Sequence, residues 1–397
     1  MRALIALVCL AGVARADNWP GWRGPTGDGI SRETNLPLKW SARENVRWKA
    51  PLTGAGVSAP VVWGQRVFLT ASDGRLNDRV SLACYHADTG KLLWRSRFFG
   101  SALSDGQFPP GGMAVPTPTT DGKHVWALFG TGDLVCVDYD GRPVWIRSLA
   151  QEYGPFRNRW GMAASPILVG DLLVIQVDHF GASYLLGVDA ATGKNRWKTD
   201  RDATVGWSSP LPVKVGGRTQ LVVAGTYTLR GYDLETGKEL WKSNGMHMQP
   251  IPTPVEQDGR LYCLCGQDLH ALCFSADGKQ QWRIRANGCY IPSPIVLGKH
   301  LYYAEDNGFA VCLDTATGKR VWRGRLAGKQ HASPVASDGK LYFIGEGGVV
   351  TVAKVGGDDF EELARNDVGE TVVASPAIAN GRLFIRGANH LICIGSR

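Results

Sequence analysis

Six segments of the chain align on a single tryptophan: ACYHADTGKLLW ending at Trp94, VCVDYDGRPVW at Trp145, GVDAATGKNRW at Trp197, GYDLETGKELW at Trp241, LCFSADGKQQW at Trp282 and CLDTATGKRVW at Trp322. Each reads as a strand, a turn and a returning strand. Glycine supplies the positive φ of a tight turn, Asp and Thr bond locally to the turn backbone, and the tryptophan stands on the returning strand. A seventh copy, AKVGGDDFEEL, keeps the length but puts Leu363 where the tryptophan is expected. This repeat constrains the fold more than length does, because one hairpin cannot bury its apolar face alone and like neighbours must stack to do so.

A second landmark precedes each hairpin, a small residue and a proline opening an apolar strand. It falls at Ala59-Pro60, Thr117-Pro118, Ser165-Pro166, Ser209-Pro210, Thr253-Pro254, Ser293-Pro294, Ser333-Pro334 and Ser375-Pro376, eight times in all. After it come two short strands around a turn, as in PIVLGKHLYYAED. Each unit is therefore four strands in roughly 40–50 residues, the size of one propeller blade. The last unit stops after its third strand, while VRWKAPL near the amino terminus has no hairpin of its own before it. The sequence thus predicts an all-β, eight-bladed propeller of four-stranded antiparallel blades, its ring closed by an N-terminal strand that completes the last blade. Trp48, Trp94, Trp145, Trp197, Trp241, Trp282 and Trp322 occupy one position in seven blades and are expected to fill the wedges between them.

The first residues, MRALIALVCLAGVARA, combine a basic start, a short apolar run and a small-x-small site. They read as a secretory signal over 1–16, followed by a Gly/Pro/Trp-rich lead-in over 17–45 and a single propeller over 46–397. The expectation is export, to the periplasm or the outside of the cell. No stretch is long and apolar enough for a membrane helix. Without Arg2 and Arg15 the chain carries 42 basic against 36 acidic residues, a net +6. This charge is scattered without long like-charge runs, which argues against a nucleic-acid partner.

Eight cysteines follow the signal. Cys84, Cys136, Cys273, Cys312 and Cys393 align at one blade position, where other blades carry Gly187, Gly231 and Ala353, so the position asks for a small residue and its copies lie too far apart to bridge. The eight histidines show no metal-ligand spacing. Strand order instead sorts polar groups by face. The segments before first strands and after second strands share one rim. There blade three brings Arg157, Arg159, Trp160, Asp178 and His179 together, and its neighbours add Arg201, Trp207, His247, Gln249, Tyr290 and His331. Polar and aromatic groups converging on a channel mouth make a candidate binding site.

The pattern A-x-D-x-x-T-G-K-x-x-W resembles the tryptophan-docking motif of the quinoprotein dehydrogenase propellers, whose cofactor is pyrroloquinoline quinone. GVDAATGKNRW and CLDTATGKRVW match it at nearly every position. The opening NWPGWRGPTGDG, with LPLKW and NVRWK, is similar to the secreted PQQ-like repeat proteins of planctomycete-type bacteria. The broad group also includes periplasmic scaffolds that assist outer-membrane protein assembly. The motif specifies fold far better than function. The long connections and adjacent cysteines of the quinone enzymes are missing, and the nearest acid and amide cluster is Asp178 with Glu305, Asp306 and Asn307. The expectation is an exported, non-catalytic propeller without a resident cofactor, presenting one rim to a protein or an extracellular polymer. Two alternatives are a quinoprotein oxidoreductase using pyrroloquinoline quinone with calcium on an alcohol or sugar, and a carbohydrate-active hydrolase or lyase, which would need paired carboxylates at the mouth.

Overall fold

A computed structural model describes residues 17–41, 44–102, 111–158, 160–266, 269–287 and 289–396. The signal segment and Arg159 lie outside the described residues. The chain forms eight four-stranded antiparallel sheets, seven of them from consecutive strands. The first blade, for example, takes Val61–Trp63, Arg66–Asp73, Arg79–His86 and Leu92–Phe99 in order from the axis outward. The eighth consists of Ala377–Ala379, Arg382–Arg386 and His390–Ile394, with Val46–Pro51 as its outer strand. Trp48 pairs with Cys393 across that seam. The amino-terminal strand closes the ring, and no blade is left with an open seam between the chain ends.

Every outer strand carries a bulge immediately before its tryptophan position, which turns the indole toward the next blade. The partner across the ladder is always small where a tryptophan is present: Cys84, Cys136, Gly187, Gly231, Cys273, Cys312 or Cys393. Most of the indoles then donate to a backbone carbonyl in the following blade. Trp48 reaches Ala87, Trp94 reaches Tyr139, Trp145 reaches Ala190, Trp197 reaches Leu234 and Trp282 reaches Thr315, all at 2.9–3.1 Å. Trp241 instead donates to the Gln220 side chain at 2.9 Å.

Blade seven departs from the alignment by one residue. Its bulge falls at Leu363, so Ala364 holds the tryptophan position and Val352 faces it, where the sequence pointed to Leu363 and Ala353. The missing bulk comes from the lead-in. Trp40 is buried in one apolar cluster with Val352, Ala364 and Phe384, and Asn366 pins it by accepting from its backbone N–H at 2.9 Å.

The small residue before each inner-strand proline has a second role that spacing alone does not reveal. The backbone N–H at Ala59, Thr117, Ser165, Ser209, Thr253, Ser293 and Ser333 donates to the hydroxyl at the same position of the next blade, at 2.9–3.3 Å. A belt of hydroxyls therefore ties the inner strands around the axis. It breaks where blade eight meets blade one, because Ala59 has no hydroxyl. There the buried Arg386 donates to the Ser58 hydroxyl at 2.7 Å, and burial lowers its pKa to about 10.

All eight described cysteines are buried and unbridged. Burial raises the Cys84, Cys136, Cys312 and Cys393 thiols to about 12, which keeps them inert at neutral pH.

Candidate functional site

The two ends of the ring differ. One end, the loop face, carries the connections between blades and the loops between second and third strands. The other, the turn face, carries the tight turns. The lead-in crosses the turn face. Trp19 bridges to Val62 in blade one, Ile30 to Ala336 in blade seven, and between them Arg23 enters the channel. Its guanidinium donates to the carbonyls of Pro294, Pro334 and Asp28 at 2.5–3.2 Å, and burial lowers its pKa to about 10. The lead-in thus covers part of the turn face, and Arg23 anchors it to blades six and seven.

On the loop face the predicted residues of blades three to six form a hydrogen-bonded arc. Arg157 donates its backbone N–H to His179 Nδ1 at 2.8 Å and accepts from the Phe180 N–H at 2.9 Å. With Nδ1 accepting, the proton sits on Nε2, which faces the Ala182 carbonyl at 3.1 Å. Burial lowers the His179 pKa, with Arg157 adding to the effect against Ala182 and Asp178, so the ring is a neutral hinge-pin between two loops. Trp207 donates to the Gly161 carbonyl at 2.8 Å, and its backbone N–H reaches Pro250. His247 packs edge-on against Tyr227, ring centroids 6.0 Å apart. Tyr290 donates its hydroxyl to Gln249 at 2.7 Å, and its N–H goes to Asp306. His331 is half-buried, and burial pushes the nearby Asp306 carboxyl upward.

Asp178 and Arg201 have a different position from the rest. Neither side chain has any exposed surface, and they form a two-point ion pair at 2.8 and 3.0 Å. Gln176 donates to Asp178, and Arg201 donates to the Tyr232 hydroxyl. Burial disfavours the guanidinium charge, but Asp178 and Tyr232 outweigh it and hold the Arg201 pKa above its ordinary value. The pair lies beneath the arc and supports it from inside. The other acids of the nearest acid and amide cluster are also committed, with Glu305 gripped by Arg323 at 2.6 and 3.1 Å and Asp306 capping the Tyr290 and Ile291 N–H groups. No group of three or more metal-ligating side chains occurs among the described residues. The residues present do not fit a quinone-calcium centre.

Beside exposed Arg157 and Asp202, the loop face presents large apolar side chains. Trp160, Phe180, Tyr227 and Met248 are 51%, 62%, 52% and 41% exposed, respectively, over the arc of blades three to five. Leu76 and Phe99 of blade one face the same end of the ring. Exposed apolar side chains also occur on the outer strands, where Leu92, Leu93, Val144 and Leu240 follow the tight turns of the opposite face. Phe180, Tyr227 and Met248 were not among the residues the rim reading named; their signal was an apolar residue at a loop tip, where burial has no neighbour to offer.

Eight four-stranded blades, indoles set between them and an apolar arc on one mouth define a PQQ-like propeller. Residues 77–206, 181–282 and 225–396 match the family model described as outer membrane protein assembly factor BamB, and the chain belongs to that family. No curated protein sequence matches it. Solved structures of similar fold include BamB from Moraxella catarrhalis, 16% identical with a TM-score of 0.60 over 88% of this chain and 94% of that one. They also include a europium-containing methanol dehydrogenase, 10% identical, TM-score 0.70, over 93% and 89%. A third is the quinohemoprotein alcohol dehydrogenase from Comamonas testosteroni, 11% identical, TM-score 0.67, over 98% and 82%. At these identities the likeness is one of fold.

Proposed function

We propose that the protein is an exported, non-catalytic scaffold that binds a protein partner on the loop face of blades three to five, in the manner of a component of outer-membrane protein assembly. The observation that carries this reading is the row of exposed Trp160, Phe180, Tyr227 and Met248 on a hydrogen-bonded frame. Aromatic and methionine side chains are those enriched at protein interfaces, and rigid backing lowers the entropy lost on binding. The family match and the BamB neighbour support a protein partner over a polymer.

The test places a photo-crosslinking amino acid at Phe180, or at Asp358 on the turn face, in cells that make the protein. The expected result is one discrete protein adduct from Phe180 and none from Asp358. Replacing Trp160, Phe180 and Tyr227 together by serine should remove binding of the identified partner without changing the melting temperature. Equal adducts from both faces, or unchanged binding by the triple variant, would reject the assignment.

A further inference from the structure

The turn face holds a cavity of about 720 Å³, roofed by Pro20–Trp22 and Gly24–Asp28 of the lead-in and walled by the inner strands of blades two to five. This volume lies within the roughly 300–1,000 Å³ of ordinary small-molecule sites. Its wall is mostly apolar, from Pro166, Ile167, Val169, Leu211 and Pro212, and two half-buried indoles, Trp22 and Trp63, face it.

The charged groups of the lining have the opposite balance to the chain. The whole sequence carries +8, yet the cavity is lined by three carboxylates, Asp28, Asp121 and Glu256, against the single cation Lys214, a net −2. Each carboxylate is oriented by its own turn. Asp28 Oδ1 accepts from the Ile30 N–H at 2.9 Å, Asp121 Oδ1 from Lys123 and His124 at 2.8 and 2.7 Å, and Glu256 Oε1 from Gly259 at 2.7 Å. One oxygen of each is so fixed, while the second has no hydrogen-bond partner among the described residues; the nearest imidazole nitrogen stands 3.9 Å from Asp121 Oδ2. Trp22 is fixed as well, its Nε1 donating to the Thr253 hydroxyl at 3.0 Å.

We infer that this cavity binds a small organic cation with an apolar body, of the alkyl- or aryl-ammonium class. The apolar wall takes the body, the indoles offer π faces to the cation, and the pre-oriented carboxylates supply charge complementarity. The site lies at the opposite end of the ring from the loop-face arc and is independent of the reading given to that face.

Calorimetric titration of the mature protein with benzyltrimethylammonium tests the assignment, alongside benzyl alcohol, benzoate and a chitin trisaccharide as neutral, anionic and sugar probes. Saturable one-to-one binding of the cation alone is expected. In the variant Asp121→Asn with Glu256→Gln, which keeps the acceptors for the turn N–H groups, affinity should fall by about tenfold or more. Lys214→Glu, an exposed substitution, should tighten binding severalfold and serves if the double variant folds poorly. Absence of cation binding at millimolar concentration, equal binding of the alcohol or benzoate, binding of the sugar in its place, or affinity indifferent to these substitutions would overturn the inference.

Discussion

The indole of Trp197 lies flat on Gly237, the turn glycine of the following blade, so closely that an added Cβ would sit 2.3 Å from the ring. The same glycine has a φ of 69°, a left-handed conformation that side chains resist. One residue thus serves the turn of its own blade and the wedge of its neighbour. Gly237→Ala should cost about 2–4 kcal/mol, combining backbone strain with overpacking. Denaturant unfolding with an unchanged slope would measure it. A loss no greater than that of an alanine placed at the open turn position Gly216 would mean that the indole contact adds nothing.

Blade seven makes a complementary prediction. Trp40 belongs to the lead-in, outside any repeat, but it is 4% exposed and sits in the cluster that contains Ala364 and Phe384. Trp40→Ala should destabilise the protein by about 3–5 kcal/mol, as for a core aromatic. Leu363→Ala, at the bulge, should cost clearly less. Comparison of the two midpoints separates a lead-in that completes the ring from one that merely lies on it.

These two cases mark where the sequence was legible. The Trp-to-Gly register repeats locally, so each copy reinforced the others and the eight-bladed ring could be read through. Leu363 was misplaced by one residue because the bulge position has no fixed residue type once the tryptophan is gone. The lead-in was opaque for another reason. Arg23 finds its carbonyl partners at Pro294 and Pro334, hundreds of residues away, in a Gly/Pro-rich segment without periodicity. On the loop face, strand order placed Asp178 and Arg201 at the correct end of the ring but could not tell a buried pair from two groups in solvent.

That pair should be costly to break and cheap to replace. Both side chains are fully buried, so Arg201→Met leaves the Asp178 carboxylate without its cation and should cost about 3–5 kcal/mol. Asp178→Leu combined with Arg201→Met should recover much of the loss, because burying neither charge removes the desolvation penalty. A double variant as unstable as the single one would point to Gln176 and Tyr232 as the groups that need the pair.

The His179 hinge-pin predicts a pH dependence. Its folded pKa lies below the ordinary value, chiefly through burial, so the unfolded chain takes up a proton first as pH falls. The stability from neutral His179 is fully present above about pH 6.5, the ordinary histidine value, and is lost as pH falls below it toward the folded pKa. Asp306 works the other way and at lower pH. Its raised folded pKa gives stability below the ordinary carboxyl range that is lost as pH rises through the folded value. Hydrogen exchange at the Arg157 and Phe180 amides should therefore accelerate, relative to distant core amides, between pH 7 and pH 5. His179→Gln should flatten that response; an unchanged pH profile in the variant would remove His179 as its source.

The last prediction concerns the cofactor that the fold family implies. Calcium beside a quinone needs free oxygen ligands at the loop-face mouth, but Asp178 is held by Arg201 and Glu305 by Arg323. Recruiting either would strand a guanidinium, in the first case one with no exposed surface, at the several-kcal/mol cost of an unpaired buried charge. Pyrroloquinoline quinone with calcium should therefore leave the melting temperature of the protein unchanged. A ligand at about 100 times its dissociation constant would add roughly 2.7 kcal/mol, easily seen in the melt. A saturable shift that requires both components would show that the mouth rearranges to admit them, and would replace the scaffold reading with an oxidoreductase.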